Sequence, residues 1–223
     1  MTRIVAISDM HGYLPAPARI PNCDLVIVAG DVTPVWDHDR HFQKRWLKNE
    51  FSVWLKELKL PVIGIAGNHD FYAQQNPDFM AKLPWTYLQD ESTEFDGLKI
   101  WGSPWVTKLH GWAFCTDEEV MGEKVDKIPK DIDILISHAP PYGVRDGLKF
   151  TKEHVGSTAL VNRLMYGEWP NLKNVIFGHI HEGFGREHID GVDFYNVSYL
   201  NERYNSNNPN GSTLFFTGSD LTG

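Results

Sequence analysis

The chain has 223 residues, of which 42% are hydrophobic, so it is long enough for one well-buried domain and is not disordered. Its formal net charge of −8 argues against a basic groove for long nucleic acid, whereas a small anionic substrate is compatible with it. No apolar run approaches the roughly 18 residues of a membrane-spanning helix, and MTRIVAISDMHG is too polar for a signal peptide. We therefore expect a cytoplasmic protein with a single domain, 1–223, and no membrane partner.

Five short apolar runs recur along the chain, and each ends at a residue that can bind a metal ion. They are RIVAIS before Asp9, LVIVAG before Asp31, VIGIAG before Asn68, DILIS before His138 and NVIFG before His179. Near-continuous apolar runs are typical of strands that are covered on both faces. Because ligands in open α/β sheets gather at the carboxyl ends of the strands, we expect these five residues to lie close together.

Helices are predicted between some of these runs. The first spans about 39–58, where the apolar residues recur at helical spacing. A second helix is predicted to begin at Asn76-Pro77, with Asn as the cap and Pro at the first helical position. A third is predicted at Thr116, where Glu119 completes the spacing of a capping box, and a fourth at Ser157.

Two Asp-Gly pairs, Asp96-Gly97 and Asp190-Gly191, lie between strand-like segments and predict hairpin turns. The second sheet is therefore expected to be partly antiparallel. The polar segment NSNNPNGS, 205–212, predicts a loop, and the following STLFF is a candidate last strand. Together these elements predict an α/β fold with two mixed sheets flanked by helices.

The stretch FGHIHEG, 177–183, places two imidazoles one residue apart. In an extended chain His179 and His181 would project to the same side, where a metal ion could bridge them. A polar strand end that faces water is the alternative interpretation, and this pair alone does not decide between the two.

Seven residues are candidate metal ligands with oxygen or imidazole donors: Asp9, His11, Asp31, Asn68, His138, His179 and His181. Such a mixed set suits divalent or mixed-valence transition metal ions, with Mn favoured and Fe, Zn, Co or Ni as alternatives. Seven ligands are too many for one ion, whereas two ions about 3.5–4 Å apart that share a carboxylate would use them. Singly, each residue has a plainer role as a turn former, but together they predict a dinuclear site.

The motifs DMHG (9–12), GD (30–31), GNHD (67–70), SHAPP (137–141) and GHIH (178–181) resemble, in order and spacing, those of the calcineurin-like metallophosphoesterases. The resemblance implies a four-layer α-β-β-α sandwich.

The resemblance also implies a role for each motif residue. One metal ion would be held by Asp9, His11 and His181, the other by Asn68, His138 and His179, with Asp31 bridging the two ions. His69 would contact the substrate phosphate and protonate the leaving oxygen, and the neighbouring Asp70 would orient its imidazole.

A narrower likeness is to the branch that includes mammalian metallophosphoesterase-domain proteins and class III cyclic nucleotide phosphodiesterases. It rests on GSPW (102–105), HAPP and FGHIHEG continuing into FYNVS (194–198). Pro34, in GDVTP, stands where many phosphomonoesterases of the superfamily carry an acidic residue and an arginine. We therefore expect a hydrolase of small phosphodiesters, including cyclic nucleotides, in which a metal-bridging hydroxide attacks phosphorus. A phosphomonoesterase or nuclease of the same fold, or a non-catalytic metal-binding scaffold, are the alternatives.

Several residues outside these motifs have two interpretations. Trp101 and Trp105 could frame the pocket and stack on a nucleobase, or pack in the core. Arg145 and Lys149 could contact a phosphate or be solvated. The cysteines have no CxxC spacing and are read as ordinary buried residues without chemistry. Histidines outside the motifs are interpreted as surface or satisfied core residues: His38, His41, His110, His154 and His188.

Overall fold

The computed structural model describes residues 2–107, 109–206 and 213–217, the last range by its backbone. The strands are β1 (Thr2–Ile7), β2 (Leu25–Ala29), β3 (Val62–Ile65), β4 (Thr86–Tyr87), β5 (Glu91–Phe95), β6 (Leu98–Ser103), β7 (Val106–Thr107), β8 (Cys115–Thr116), β9 (Ile134–Ser137), β10 (Asn174–Phe177), β11 (Gly185–Ile189), β12 (Val192–Asn196) and β13 (Thr213–Thr217). The helices are α1 (Arg40–Trp46), α2 (Ser52–Leu58), α3 (Phe71–Gln75), α4 (Pro77–Met80), α5 (Glu118–Val125) and α6 (Thr158–Tyr166).

Two sheets are built from these strands, and both are mixed. The first has the order β13-β1-β2-β3-β4, in which only β13 is antiparallel to its neighbour. The second has the order β11-β12-β10-β9-β6-β5, with antiparallel strands at its two edges. β7 and β8 form a separate parallel pair. The predicted mixed sheets are confirmed.

The two sheets pack face to face and are covered by helices on their outer faces. Ile27 of the first sheet and Ile176 of the second lie in the core between the sheets. Val26, which points the other way along β2, packs in a core with Trp54 of α2, and Val175 packs in a third core with Leu160 of α6. Because both faces of these strands are covered, their apolar runs are continuous. The predicted four-layer α-β-β-α sandwich is confirmed.

The predicted helices are found, with one wrong start. The segment 40–58 is helical throughout, with a π-helical turn between α1 and α2, and Asp39 caps it by accepting from the N–H of Phe42. Ser157 caps α6 as predicted. The capping box at Thr116 is wrong, because that residue pairs in β8 and the carboxylate of Asp117, one residue later, caps α5.

The short helix α4 begins at Pro77 as predicted, but the predicted cap residue does not cap it. The side-chain amide of Asn76 instead donates to the carbonyl of Tyr72 in the preceding helix. The chain therefore turns at Asn76 between two short helices.

Both predicted hairpins are confirmed. Asp96-Gly97 joins β5 to β6, and Asp190-Gly191 joins β11 to β12, each with positive φ at both residues. This is the backbone that a two-residue type I′ turn requires. The predicted last strand is β13, whereas most of the predicted loop 205–212 lies outside the described residues.

None of the helices in the described ranges is both long enough and apolar enough to cross a bilayer. The cytoplasmic location stays a prediction.

Candidate metal centre

The residues that follow the five predicted strands meet where the strands of the two sheets have their carboxyl ends. β1, β2 and β3 are parallel neighbours, as are β9 and β10, so within each sheet the carboxyl ends lie at a common edge. A parallel bridge between Ser8 and Ser198 joins the two sheets there. The structure thus brings together the side chains that the sequence placed at the strand ends.

Four of the seven candidate ligands have a left-handed backbone: Asp9 (φ 52°), His11 (46°), Asp31 (51°) and His179 (69°). This conformation is uncommon for residues other than glycine and costs on the order of 1–3 kcal/mol at each position. Strain of this kind clusters where a functional geometry is held by its surroundings. Left-handed residues also occur elsewhere in the fold, for example in the hairpin turns, but here four of them are potential metal ligands, which makes this end of the sheets a candidate functional site.

Two glycines allow the close approach of the ligand-bearing segments. A Cβ on Gly67 would lie 2.3 Å from Asp31 Oδ1 and 2.6 Å from His138 Nε2. A Cβ on Gly178 would lie 2.2 Å from Asp9 Oδ2. Side chains at either position would therefore displace candidate ligands.

The first cluster consists of Asp9, His11 and His181, whose ligand atoms lie within 4.8 Å of one another. His181 Nε2 is 3.6 Å from Asp9 Oδ1 and 3.1 Å from His11 Nε2. The other ring nitrogen of His181 donates to the carbonyl of Asn201 at 3.0 Å, which fixes the tautomer and directs Nε2 toward the cluster.

The second cluster consists of Asn68, His138 and His179. His138 Nδ1 donates to the carbonyl of Ala29 at 2.8 Å, and its Nε2 lies 3.0 Å from Asn68 Oδ1. Asp31 lies between the two clusters, with Oδ2 3.3 Å from His138 Nε2 and 3.8 Å from His11 Nε2. Asp31 is therefore the carboxylate that lies within reach of histidines from both clusters.

The donor set fits bound cations. Because His138 Nδ1 donates to a carbonyl, its Nε2 faces two oxygens that can only accept, so either a proton or a metal ion must lie between them. Burial lowers the pKa of His138, but the charge of Asp31 outweighs it and raises the pKa to about 9. For His181, burial is likewise outweighed by the hydrogen bond and charge of Asp9, and the pKa is about 9.

In contrast to His138 and His181, the remaining ligand candidates are already in the protonation state that metal binding needs. Burial lowers the pKa of His11 and of His179 to about 3, so both imidazoles are neutral at neutral pH. The Nδ1 atom of His11 is buried without a hydrogen-bond partner. Burial raises the pKa of Asp31, but the surrounding histidines, His138 first, hold it well below its ordinary value. Ionised carboxylates and neutral imidazoles are what divalent transition metals bind.

His69 lies beside both clusters. Its backbone N–H donates to Asp31 Oδ1 at 2.8 Å, and its Nε2 is 4.0 Å from Asp31 Oδ2. The ring packs at 4.4 Å from that of Trp112 and edge-on at 4.5 Å from that of His11. His11, Asp31 and His69 also satisfy the spacing of a metal-binding group, so distance alone does not separate a ligand role for His69 from a substrate-contact role.

The suggestion that Asp70 orients the imidazole of His69 is wrong. Its fully buried carboxylate accepts from the N–H groups of Val32, Thr33 and Gly67 and from the Thr33 hydroxyl. Burial, with the nearby charge of Asp31, raises the pKa of Asp70 to about 6. Asp70 therefore ties the loop after β2 to the loop after β3, and the sequence neighbour of His69 points away from its ring.

Sequence reasoning missed several residues at this edge. The hydroxyls of Ser8 and Ser198 donate to Asp9 Oδ2 at 2.5 and 2.7 Å. The backbone N–H of His179 donates to both oxygens of the same carboxylate, and Oδ1 lies 3.6 Å from His181 Nε2. The ring of Tyr204 packs edge-on against His11 and His181, at 5.4 and 5.7 Å. Ser198 ends the FYNVS motif, which could have pointed to it, whereas Tyr204 follows no pattern.

His38 is a further residue that sequence reasoning missed, because it lies outside every motif. Its Nε2 is 3.3 Å from His69 Nδ1. The interpretation of His38 as an ordinary surface or core residue is therefore incomplete.

A cavity of about 310 Å³ lies over the clusters, lined by residues that include His69, Trp112, His179 and Tyr204. An adjoining groove of about 800 Å³ shares Leu148, His181, Glu182 and Glu202 with it. Among the described residues, no lysine or arginine lines the cavity, whereas Lys149 and Lys152 line the groove. The space is large enough for an ester group beyond the phosphate.

The tryptophans of WGSPW do not line this space. Trp101 is buried in the core under the second sheet. The ring N–H of Trp105 donates to the carboxylate of Asp90 at 2.8 Å, and Nζ of Lys124 lies above the ring, 3.5 Å from its centroid. The packing interpretation therefore holds for both, and Trp112 is the tryptophan that lines the cavity.

Arg145 and Lys149 are placed differently from each other. Arg145 Nη2 donates to the carbonyl of Arg186, on the edge strand of the second sheet. Lys149 lines the groove with Nζ 3.2 Å from Glu202, so it is paired. Both cysteines have free thiols, with Cys23 buried and Cys115 half-buried.

Comparisons with known proteins agree with this arrangement. A family model described as calcineurin-like phosphoesterase matches residues 2–183. Metallophosphoesterase domain-containing protein 1 from Homo sapiens is 31% identical to this chain, and the match covers 93% of this chain and 69% of that protein. A UPF0046 protein from Caenorhabditis elegans is 27% identical, and the match covers 92% of this chain and 58% of that protein. The solved structure of phosphopantetheinyl hydrolase from Mycobacterium tuberculosis superposes with a TM-score of 0.60 at 16% identity, covers 90% of each chain and shows the shared fold. The predicted family and branch are confirmed.

Proposed function

Because the chain belongs to the calcineurin-like phosphoesterase family, whose members are metal-dependent phosphoester hydrolases, we propose that it hydrolyses small phosphodiesters, including cyclic nucleotides. The observation that carries the proposal is the pair of donor clusters that share Asp31 beside His69.

We assign the ligands by cluster. Asp9, His11 and His181 would hold one cation, Asn68, His138 and His179 the other, and Asp31 both. Mixed nitrogen and oxygen donors without thiolate favour Mn²⁺ among transition metals. Bound there, two such ions lower the pKa of water and stabilise negative charge on phosphoryl oxygens.

The side chains around the clusters would orient the substrate. His69 Nε2 faces the cavity next to Asp31, so it is placed to donate a proton to the leaving oxygen. Burial lowers the pKa of His69, while the charge of Asp31 opposes the shift. An anionic phosphodiester beside Nε2 would act in the same direction as Asp31 and favour the protonated form.

The charges around the cavity support a diester over a monoester. A phosphomonoester carries close to two negative charges at neutral pH, and proteins usually clamp such a dianion with arginine. Of the described residues that line the cavity, Asp31, Glu182 and Glu202 are acidic and none is lysine or arginine. Pro34 also stands where the arginine pattern of phosphomonoesterases is expected. A diester carries one charge, and its second ester group fits in the adjoining groove.

The test is a substrate panel with added Mn²⁺: bis-p-nitrophenyl phosphate, p-nitrophenyl phosphate, cyclic nucleotides and short oligonucleotides. We expect kcat/KM for the diester to exceed that for the monoester. A preference for p-nitrophenyl phosphate would make the protein a phosphomonoesterase, and a preference for oligonucleotides would make it a nuclease. A sample that binds two ions per chain and hydrolyses none of these would support a scaffold.

A further inference from the structure

We propose that His38 is a positioning residue, which holds the imidazole of His69 with Nε2 directed at the cavity. The inference rests on the proposed function, in which His69 protonates the leaving oxygen. It extends that function to a residue outside all the family motifs of the sequence.

The backbone N–H and carbonyl of His69 are both hydrogen-bonded, so the backbone at this residue is held in place. The rotation of the imidazole ring about its terminal torsion is not determined by these bonds. Its N–H donates to Asp31, and its carbonyl accepts from the Thr33 hydroxyl and the Gln43 amide, at 3.0 and 2.8 Å. The terminal torsion of a histidine is broad and roughly two-fold, so the ring can present either edge to the cavity. The contact of 3.3 Å between His69 Nδ1 and His38 Nε2 selects the orientation with Nε2 inward.

His38 is itself held in place. The preceding Asp37 accepts from the N–H of Asp39, which in turn caps α1, so the backbone on both sides of His38 is fixed. The His38 ring packs at 5.2 Å from that of Phe71 and 5.4 Å from that of Trp112. A residue that only filled space would not need its ring nitrogen aimed at His69.

The local charges explain why an imidazole is suited to this position. Asp31 and Asp70 are already buried close to His69, and a third carboxylate would raise the cost of keeping Asp31 ionised. An imidazole at position 38 can accept from His69 Nδ1–H without adding a negative charge to the site. During the reaction the proton on His69 Nε2 would pass to the leaving alkoxide or phenolate oxygen as its bond to phosphorus breaks, while the Nδ1 proton stays between the two rings.

The kinetic test compares two symmetric diesters, in which the leaving group is unambiguous. Bis-p-nitrophenyl phosphate releases a weakly basic phenolate that needs little protonation, whereas diphenyl phosphate releases a more basic one. For His38→Ala we expect kcat to fall about 10-fold or more further for diphenyl phosphate than for bis-p-nitrophenyl phosphate, with KM unchanged. His38→Gln, which can place an amide near Nε2, should recover much of the loss. The control is His41→Ala, an exposed histidine of the same segment.

The variant His69→Ala distinguishes failure of the proposed acid role of His69 from failure of the positioning role of His38. If it shows no selective loss on diphenyl phosphate, the acid role of His69 is wrong and the role of His38 falls with it. If His69→Ala is selective but His38→Ala slows both diesters equally, only the inference about His38 is overturned.

A second measurement does not depend on activity. In the Zn²⁺-loaded protein, which is diamagnetic, long-range ¹H–¹⁵N spectra of labelled histidine report the tautomer of each ring. We expect the neutral, substrate-free ring of His69, identified from the spectrum of His69→Ala, to carry its single proton on Nδ1 in the parent and in His38→Gln, so that the second, acidic proton is taken up at Nε2. In His38→Ala the neutral ring should become a mixture of the two tautomers. An unchanged tautomer in His38→Ala would overturn the proposal.

Discussion

The two clusters of the candidate metal centre are built on different supports. The second cluster is anchored in the sheets: His138 is fully buried and donates to Ala29, the last residue of a central strand. The first cluster is closed by a loop, because the 12%-exposed side chain of His181 donates to Asn201, beyond the last strand of the second sheet. A ligand held by a strand is more rigid than one held by a loop. We therefore expect the second cluster to bind its cation more tightly than the first.

Replacement of Asp31, which faces both clusters, should have the largest effect of the variants considered, because it weakens both cation sites at once. Asp31 faces ligands of both, so Asp31→Ala should abolish binding of at least one ion and lower kcat by about 10³-fold or more, since several kcal/mol of charge stabilisation are lost. Metal content by mass spectrometry and hydrolysis of bis-p-nitrophenyl phosphate test this. Asp126→Ala, an exposed carboxylate, is the matched control. Two ions per chain with near-parental activity in Asp31→Ala would refute the assignment.

His69 belongs to neither cluster in our assignment, although its distances would allow it to join the first. His69→Ala should lower kcat by about 10²–10⁴-fold, the usual contribution of a general acid, and should leave two ions per chain. Loss of an ion in this variant would make His69 a ligand.

The supports of the first cluster can be weakened selectively. Ser198 donates to Asp9 Oδ2, and such outer hydrogen bonds change metal affinity by about 10–100-fold. In calorimetric titration of the chelator-treated protein with Zn²⁺, Ser198→Ala should weaken one of the two binding steps more than the other, because Asp9 is a candidate ligand of the first cluster and meets the second only through the backbone N–H of His179. Ser92→Ala, exposed on edge strand β5, serves as the control. Equal weakening of both steps would mean that the clusters do not act separately.

The parts of this site that the sequence predicted are those set by local chemistry. A continuous apolar run followed by Asp31 or His138 indicates both a buried strand and the place where its ligand lies. The same holds for the hairpins, because an Asp-Gly pair suits the left-handed backbone of their turns. The residues that follow the predicted strands were therefore enough to predict the two clusters. The motifs that contain them resembled those of a known family, which identified it.

The supports of the site could not be predicted, because they join positions far apart in the chain. His38 meets His69, 31 residues away, and Ser198 meets Asp9, 189 residues away. The error at Asp70 has the same origin: adjacency to His69 suggested a contact, but the turn after β3 sends consecutive side chains in different directions. The wrong cap at Thr116 arose because the neighbouring Asp117 is the better acceptor and the strand pairing of Thr116 is non-local.

The shifted pKa values of the cluster histidines make the stability of the chelator-treated protein depend on pH. His138 and His181 each have a pKa raised to about 9, so in chelator-treated protein their contribution is present below the ordinary pKa near 6.5 and is lost as pH rises through 9. His11 and His179, with pKa values near 3, oppose folding as pH falls below 6.5. We therefore expect the Tm of the chelator-treated protein to be highest near pH 6.5 and to fall toward pH 9.

With Zn²⁺ bound, the cations replace these protons, and the fall in Tm between pH 6.5 and 9 should shrink or vanish. Differential scanning fluorimetry across this range tests it, and parallel curves with and without Zn²⁺ would mean that protons and cations do not compete for the same sites.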